Sequence, residues 1–474
     1  MSPLDPEPLY RALETRDRRF DGVFFVGVET TGIYCRPICP ARTPARARCR
    51  FFSHAAEAER EGFRACFRCR PERAPGGASV DRATKLAERA VARIGSGALD
   101  KLSVDALAAE LGVSERHLRR AVIGATGVAP LELAATRRLG IAKALLQDTG
   151  LPITEVAFAS GFASLRRFHD AFRARFGCAP STVRKARPSG LEDRITLRLD
   201  ARPPYAGARL LEFLRGRAIA GVESVREDGY RRTAEIDGRV GEIDVCVVSD
   251  AERPHVLVRV EASLLPSLPE VLVRVRSVFD LDARPDVIDA HLSRDAVLAP
   301  RVAQNPGLRV PGAWDPWELA VRAILGQQVS VKAATTLSGR LVERFGRASG
   351  GRMLFPSAMR LASATPAEIG ALGLPASRAA TLSALAKSVA ASDVVLDRFG
   401  EPDQLAQKLT SIAGIGPWTA GYVILRALRD PDAFLPGDLG VRKAMSARSE
   451  RDAEARSQAW RPWRAYALMH LWVG

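Results

Sequence analysis

The rhythm of apolar and polar positions divides this 474-residue chain into four segments. Residues 1–78 hold short apolar runs, such as Gly22–Val28, between stretches rich in Cys and Arg, and close on the linker Pro75–Gly76–Gly77. Short runs bounded by turn residues predict strands. Residues 80–187 repeat apolar positions at helical spacing between polar turns, as far as Pro188–Ser189–Gly190, and predict an all-helical segment. Residues 191–300 mix alternating runs, Ile195–Leu199 and Val256–Val260, with a helical stretch around Ala208–Arg217, which predicts mixed α/β structure. Residues 303–474 are helical again, punctuated by Gly and Pro.

The first helical segment contains an internal repeat. Leu107–Leu118 (LAAELGVSERHL) resembles Val156–Phe168 (VAFASGFASLRRF): a helical stretch, a glycine at 112 or 161, then a serine and a basic helix. That is the grammar of a helix-turn-helix, whose second helix enters a DNA groove. Ala106–Leu111 and Glu155–Ala159 read as support helices. Ser114–Val122 and Ser164–Phe176 read as recognition helices, with Ser114 and Ser164 as N-caps. Arg116, His117, Arg119 and Arg120 in the first, and Ser164, Arg166, Arg167 and His169 in the second, are placed to face DNA. Leu118, Leu165, Phe168 and Phe172 fit the buried stripe. The closing run FHDAFRARFGCAPSTVRK (168–185) resembles the AraC-type DNA-binding domain, which implies two such units reading the major groove about one turn apart. Cys178, inside that run, reads as structural.

Composition narrows the partners. Apolar residues make up 47%, which suits globular domains. Lys plus Arg is 70 against 54 for Asp plus Glu, and the net charge of +16 favours a polyanion such as nucleic acid. A chain rich in Arg and Ala throughout carries such charge for compositional reasons as well. The N-terminus MSPLDPEPLY has neither a basic nor an apolar leader region, and no stretch reaches about 18 apolar residues. The expectation is a soluble, cytoplasmic protein without a membrane partner. Of seven cysteines, five lie between 35 and 69. An odd count in clustered pairs points to metal or thiol chemistry in a reducing compartment.

The spacing Cys35-x3-Cys39 followed by Cys66-x2-Cys69 suits a tetrahedral four-thiolate zinc site, either structural or reactive. The flanks TTGIYCRPICPAR (30–42) and FFSHAAEAEREGFRACFRCRP (51–71) resemble the zinc domain of the Ada-type adaptive-response regulator. That resemblance implies that Cys35 is both zinc ligand and methyl acceptor, taking a methyl group irreversibly from a methylated DNA phosphate. A zinc-bound thiol is deprotonated and nucleophilic at neutral pH. Four thiolates on Zn²⁺ leave a charge of −2, which repels an ordinary phosphate but not a neutral methyl phosphotriester. Methylation removes one negative charge, so DNA affinity should rise. Arg36, Arg42, Arg46, Arg48 and Arg50 supply cations for flanking phosphates, or are ordinary surface charge. Cys49 lies outside the ligand pattern and reads as an incidental thiol.

In LTSIAGIGPWTAGYVILRALRDPDAFLPGDLGVRK (409–443), the Ala413–Gly414–Ile415–Gly416 hairpin between two helices predicts a helix-hairpin-helix. Gly414 and Gly416 let its backbone N–H groups approach a DNA phosphate. With Phe434–Leu435–Pro436–Gly437–Asp438 beyond it, the stretch resembles the helix-hairpin-helix glycosylase superfamily. AVRAILGQQVSVKAATTL (320–337), AWRPWRAYALMHLW (459–472) and PPYAGARLLEFLRGRAIAGVESV (203–225) resemble its 3-methyladenine DNA glycosylase II, or AlkA-like, branch. Glycosidic cleavage of a cationic base builds positive charge on the sugar, which a carboxylate stabilises. Asp438 is the candidate; the bland alternative is a helix N-cap before Leu439. Bifunctional relatives carry a lysine at the position of Trp418, so tryptophan there implies base excision without strand cleavage. Trp418, Tyr422 and Trp472 match positions lining the pocket for a flipped base, where electron-rich rings suit a cation; core packing is the alternative. Gln328 falls where the family carries an apolar wedge, so either the wedge is polar or it lies one position away. No C-terminal four-cysteine cluster and no Pro-Cys-His-Arg motif occur, so neither an iron–sulfur centre nor an O6-methylguanine transferase half is expected.

The expected fold class is multidomain α+β. It comprises a small zinc-binding α/β domain (1–78), an all-α tandem helix-turn-helix domain (80–187), an AlkA-like mixed α/β domain (191–300) and an all-α helix-hairpin-helix glycosylase domain (303–474). The expected function is a DNA alkylation-damage response. A monofunctional glycosylase, catalysed at Asp438, is joined to a zinc-thiolate sensor and activator that meets double-stranded DNA and RNA polymerase. The alternatives are a purely regulatory activator with an inactive glycosylase fold, and a glycosylase whose N-terminal half only targets DNA.

Overall fold

The computed structural model describes residues 5–77, 84–184 and 193–473. The boundary expected at Pro188–Ser189–Gly190 lies outside them. The chain folds as two compact units, one of Met1–Pro203, Asp250–Arg276 and Leu281–Arg284, the other of Pro204–Ser249, Ser277–Asp280 and Pro285–Gly474. The division runs through the mixed segment expected over 191–300.

The first unit begins with the helix Pro6–Glu14, capped by Asp5, whose side chain accepts from the Glu7 amide at 3.2 Å. Its Leu9 and Leu13 pack on Phe24 and Val26. Four short strands follow: β1 (Phe25–Val28), β2 (Ile33–Cys35), β3 (Cys49–Phe52) and β4 (Arg64–Ala65), ordered β3-β1-β2-β4. β1 is antiparallel to β2 and β3, whereas β2 and β4 run parallel with Tyr34 opposite Ala65. That register brings Cys35 and Cys66, the residues that follow this pair, side by side. The alternating runs further on form the strands Arg194–Asp200 and His255–Glu261, which pair antiparallel with Ile195 opposite Val260 and Leu199 opposite Val256.

Both helix-turn-helix units form. Val104–Glu110 leads to Glu115–Thr126, and Ile153–Ala159 leads to Leu165–Phe176. Ser114 and Ser164 cap the second helix of each, accepting the amides of His117 and Arg167 at 3.3 Å. Gly112 and Gly161 take φ of 71° and 93° in the turns, where a side chain would be strained. Leu118, Phe168 and Phe172 are buried, as the helical stripe predicts. Leu165 is not: it is 36% exposed at the first position of its helix. A residue in the first turn has no preceding turn to pack against, so helical spacing misplaced it.

The helix Pro130–Asp148 joins the two repeats and carries the zinc domain. Lys143, 0% exposed, donates to the Cys66 carbonyl at 2.7 Å and to Glu72 at 2.8 Å. Asp148 accepts both outer nitrogens of Arg70 at 2.9 Å. Tyr34 donates to Glu59 at 2.9 Å, and Glu59 also holds Arg175 of the second recognition helix. Buried charges are thus paired, as burial requires.

In the second unit, strands Glu223–Val225, Gly229–Ile236 and Arg239–Val248 form an antiparallel meander. The remainder is helical around a core that includes Leu319, Ile324, Leu341, Leu382, Leu385 and Leu409, except that the segment expected to be all-α also holds a short antiparallel hairpin, Arg347–Ser349 with Arg352–Leu354. Helices Pro402–Thr410 and Pro417–Val423 flank the expected hairpin. Gly414 sits at φ 89°, and a Cβ there would lie 1.9 Å from the Thr381 hydroxyl, so only glycine fits.

Candidate functional site

At the end of β2, Cys35 meets Cys39, Cys66 and Cys69, with all four sulfurs within 4.8 Å of one another. Tetrahedral zinc, with Zn–S bonds of about 2.3 Å, places sulfurs roughly 3.8 Å apart, so the cluster fits one zinc ion. Backbone amides of Arg36 and Arg68 point at Cys69 and Cys66 sulfurs, at 3.3 and 3.4 Å. Cys39, Cys66 and Cys69 are buried, and Cys35 alone of the four is half-buried. Cys49 belongs to the core with Leu9, Phe24 and Val26.

The arginines near the cluster do not form one cationic set. Arg36, 2% exposed, is bound to Asp21 at 2.7 Å and to Asp200 at 2.7 Å. It is therefore an internal counter-charge and not a phosphate contact. Arg50 pairs with Glu61 at 2.9 Å, and Arg46 lies over Phe51 and near Glu7. Arg42 and Arg48 are exposed. On the recognition helices Arg116, Arg120, Arg166 and Arg167 are exposed, whereas Arg119 is held by Glu115 at 2.6 Å.

The second unit contains a cavity of about 380 Å³ whose walls include Asp438, Trp418, Tyr422 and Trp472. Asp438 caps the helix Leu439–Met445, accepting the Val441 amide at 3.0 Å. The cap and the site are the same carboxylate. Its oxygens also accept the indole N–H of Trp418 at 3.0 Å and of Trp472 at 3.4 Å. Three donors from three directions fix the carboxylate at the cavity wall. Trp418 and Tyr422 stack with centroids 5.4 Å apart and planes 8° apart, while Tyr422 and Trp472 are tilted at 6.3 Å. Gln328 does not line the cavity: it is exposed, at φ 54°, one residue before Val329, which does. The neighbouring Gln327 amide donates to the Gly414 carbonyl at 2.9 Å and to Thr419 at 3.0 Å, tying this turn to the hairpin.

Sequence reasoning missed the charged residues of the cavity. Arg217, Glu223, Glu318, Arg322 and Arg426 all line it. Arg426 stands one helical turn beyond Tyr422, a spacing that was visible, and Arg232, 3.5 Å from Glu223, is its cross-strand neighbour; the ion pair of Glu223 with Arg322 at 3.2 Å joins residues far apart in sequence and had no signal.

Four family models match in order: the metal binding domain of Ada over 8–72, a helix-turn-helix domain over 107–186, the AlkA N-terminal domain over 196–315, and the HhH-GPD superfamily of base excision DNA repair proteins over 321–464. A probable bifunctional transcriptional activator/DNA repair enzyme AlkA of Mycobacterium tuberculosis is 39% identical, across 99% of this chain and 96% of that protein. The chain belongs to this bifunctional activator and repair family. DNA-3-methyladenine glycosylase 2 of Escherichia coli is 34% identical over 58% of the chain and 95% of its own length. A 3-methyladenine DNA-glycosylase structure from Archaeoglobus fulgidus superposes with a TM-score of 0.51 at 21% identity, over 58% of this chain and 97% of that one, which shows the shared fold. The family combines a one-zinc, four-cysteine domain, an AraC-type domain and a glycosylase fold in one DNA repair and regulatory protein that meets double-stranded DNA. Among the described residues no helix is long and apolar enough to cross a membrane.

Proposed function

We propose that the chain is a monofunctional glycosylase that hydrolyses the N-glycosidic bond of alkylated bases of the 3-methyladenine class. We further propose that it accepts a methyl group from DNA methyl phosphotriesters on Cys35 and then activates transcription through RNA polymerase in the cytoplasm. The observation that carries the first activity is the Asp438 carboxylate, held by Trp418, Trp472 and Val441 at the wall of an aromatic cavity. A flipped nucleotide stacks against Trp418, Tyr422 and Trp472, and Asp438 stabilises the positive charge that grows on the sugar as the base leaves. Gly414 and Gly416 offer backbone N–H groups to a phosphate, and Gln328 fills the space the base vacates.

For the second activity, zinc keeps its thiolate ligands deprotonated at neutral pH. The Cys35 sulfur attacks the methyl carbon, the C–O bond breaks, and the phosphodiester leaves as an anion. Cys35 becomes a thioether, with one negative charge fewer at the cluster. Cys35 is the acceptor because it alone of the four sulfurs is half-buried. Arg116, Arg119, Arg166 and Arg167 provide the operator contacts. Incubating methylated duplex DNA with wild type and with Asp438→Asn tests the enzyme: wild type releases free methylated base and the variant does not. Equal release by both would remove Asp438 from the mechanism. No release by wild type would favour a pure regulator. A peptide digest of protein exposed to the same DNA should carry its methyl adduct on Cys35; an unmodified Cys35 peptide would reduce the zinc to a structural role.

A further inference from the structure

Each oxygen of Asp438 accepts an indole N–H, one from Trp418 at 3.0 Å and the other from Trp472 at 3.4 Å. Behind each indole lies a second ring. Tyr422 stacks on Trp418 with centroids 5.4 Å and planes 8° apart. Phe213 stacks on Trp472 at 6.5 Å and 22°. Both second rings meet the same side chain, Arg426. Its guanidinium carbon lies 4.9 Å from the Phe213 centroid and 5.7 Å from that of Tyr422, and its Nη1 donates to the Tyr422 hydroxyl at 2.8 Å. Two routes thus lead from one arginine to the two oxygens of the carboxylate.

Arg426 is itself held firmly. It lies on the π-helical turn Ile424–Leu428, which continues the helix Pro417–Val423 that carries Trp418 and Tyr422. Only 5% of it is exposed. Nε donates to the Pro311 carbonyl and Nη2 to the Gly312 carbonyl at 3.2 Å, while its own carbonyl accepts the Ala313 amide at 2.9 Å. All three guanidinium nitrogens are therefore engaged, and none of the three acceptors is a carboxylate. Burial pushes the guanidinium below its ordinary value, and a buried charge without a countercharge is costly. Apolar side chains would fill that space without the cost, but they would let the rings slide. Directional bonds to backbone carbonyls hold the guanidinium in one place, and the guanidinium holds the rings.

We propose that Arg426 is a positioning residue for base excision: it sets Tyr422 directly and Trp472 through Phe213, and through them the two indole donors that orient the Asp438 carboxylate. Its nitrogens are engaged on the protein, so its role does not depend on touching the flipped base. A carboxylate stabilises a growing positive charge only from the right place, and a misplacement of about 1 Å costs about 10²-fold in rate. This role rests on the glycosylase reading above and adds to it a residue that acts on Asp438 from two rings away.

The test is single-turnover base release from duplex DNA treated with a methylating agent, using full-length protein at rising concentration, with a thermal scan of each variant. In Arg426→Met the maximal rate should fall on the order of 10- to 100-fold while the half-saturating concentration holds. Arg426→Lys, which keeps a buried donor, should recover part of the rate. Tyr422→Phe and Phe213→Leu, which cut one route each, should each lower the rate by less than Arg426→Met does. In a double-mutant cycle, Arg426→Met should cost less in the Tyr422→Phe background than in wild type, because one route is already cut. An arginine that merely supports the fold would cost the same in both, and that result would overturn the positioning role. So would a change confined to the half-saturating concentration. If Arg426→Met does not fold, Tyr422→Phe and Phe213→Leu decide alone: wild-type rates in both would overturn the role and leave the glycosylase reading standing. No release of any base by wild type would overturn both.

Discussion

Cys35 and Asp438 are both half-buried groups, and they are held by opposite kinds of partner. The neighbours of Cys35 are three buried thiols on one turn and one strand end, with the zinc domain pinned to the helix Pro130–Asp148 through Lys143. Those of Asp438 are two indoles that also line the cavity. The first site is part of its domain's fold, and altering it alters structure. The second is a cap at the start of one helix, a place that asparagine can also fill, so the charge can be removed with the cap kept. The proposed function gives that difference its meaning: an acceptor consumed once against a catalyst that turns over.

Removing zinc should produce the largest effect. Structural zinc contributes about 10–16 kcal/mol to small zinc domains. Chelation, or Cys39→Ser, is expected to abolish one-to-one zinc content and melt the β1–β4 region in a thermal scan. Retention of that region's melting without zinc would break the comparison. Lys143→Met comes next. It leaves Glu72 buried with one cation fewer, and breaking a buried pair costs about 3–5 kcal/mol. Denaturant unfolding should show the first unit destabilised. The same contacts set a pH dependence. Burial raises the Glu72 carboxyl, but Lys143 and Arg70 outweigh it and hold the group below its ordinary 4.5. Asp148, likewise raised by burial and lowered further by Arg70 and Arg73, sits below its ordinary 3.8. Depressed carboxyls stabilise the fold above those ordinary values and lose that contribution as pH falls through the folded ones. Stability of the first unit should decline as pH drops below about 4.5, and Lys143→Met should flatten that decline.

Asp438→Asn should act on rate alone. Asparagine also caps a helix, so the melting temperature is expected to hold while base release falls on the order of 10²- to 10³-fold, the scale of one lost electrostatic contact in a transition state. A large drop in melting temperature would show that the carboxylate is structural. The smallest effect belongs to the exposed arginines. Arg167→Ala should leave both melting and base release intact and lower the salt dependence of operator binding by about one unit of slope if it meets a phosphate.

Much of this was legible in the chain because local spacing carries local chemistry. The cysteine pairs, the serine caps at 114 and 164, the turn glycines and the Gly414 hairpin all act within a few residues of themselves. What periodicity cannot report is a partner far along the chain. Arg36 reads as a surface cation until Asp200 is found beside it, 164 residues away. Leu165 has helical spacing but sits where its helix has not yet covered itself. Asp438 reads as either cap or catalyst; it is the cap, and it also lines the cavity, where the second role is proposed. Arg217, Arg322 and Arg426 come from a turn, the helix Pro316–Leu325 and the π-helical turn Ile424–Leu428, so only the folded unit shows that they line one cavity.

The two proposed chemistries, one consumed and one renewed, differ most directly in stoichiometry. Full-length protein incubated with excess methylated duplex DNA can be followed for methyl groups per chain by intact mass and for free base by chromatography in the same samples. The methyl count should level at one per chain, on Cys35, while released base continues well past one per chain. Base release that stops at one per chain, or a Cys35 that stays unmethylated while base accumulates, would contradict the division of labour between Cys35 and Asp438.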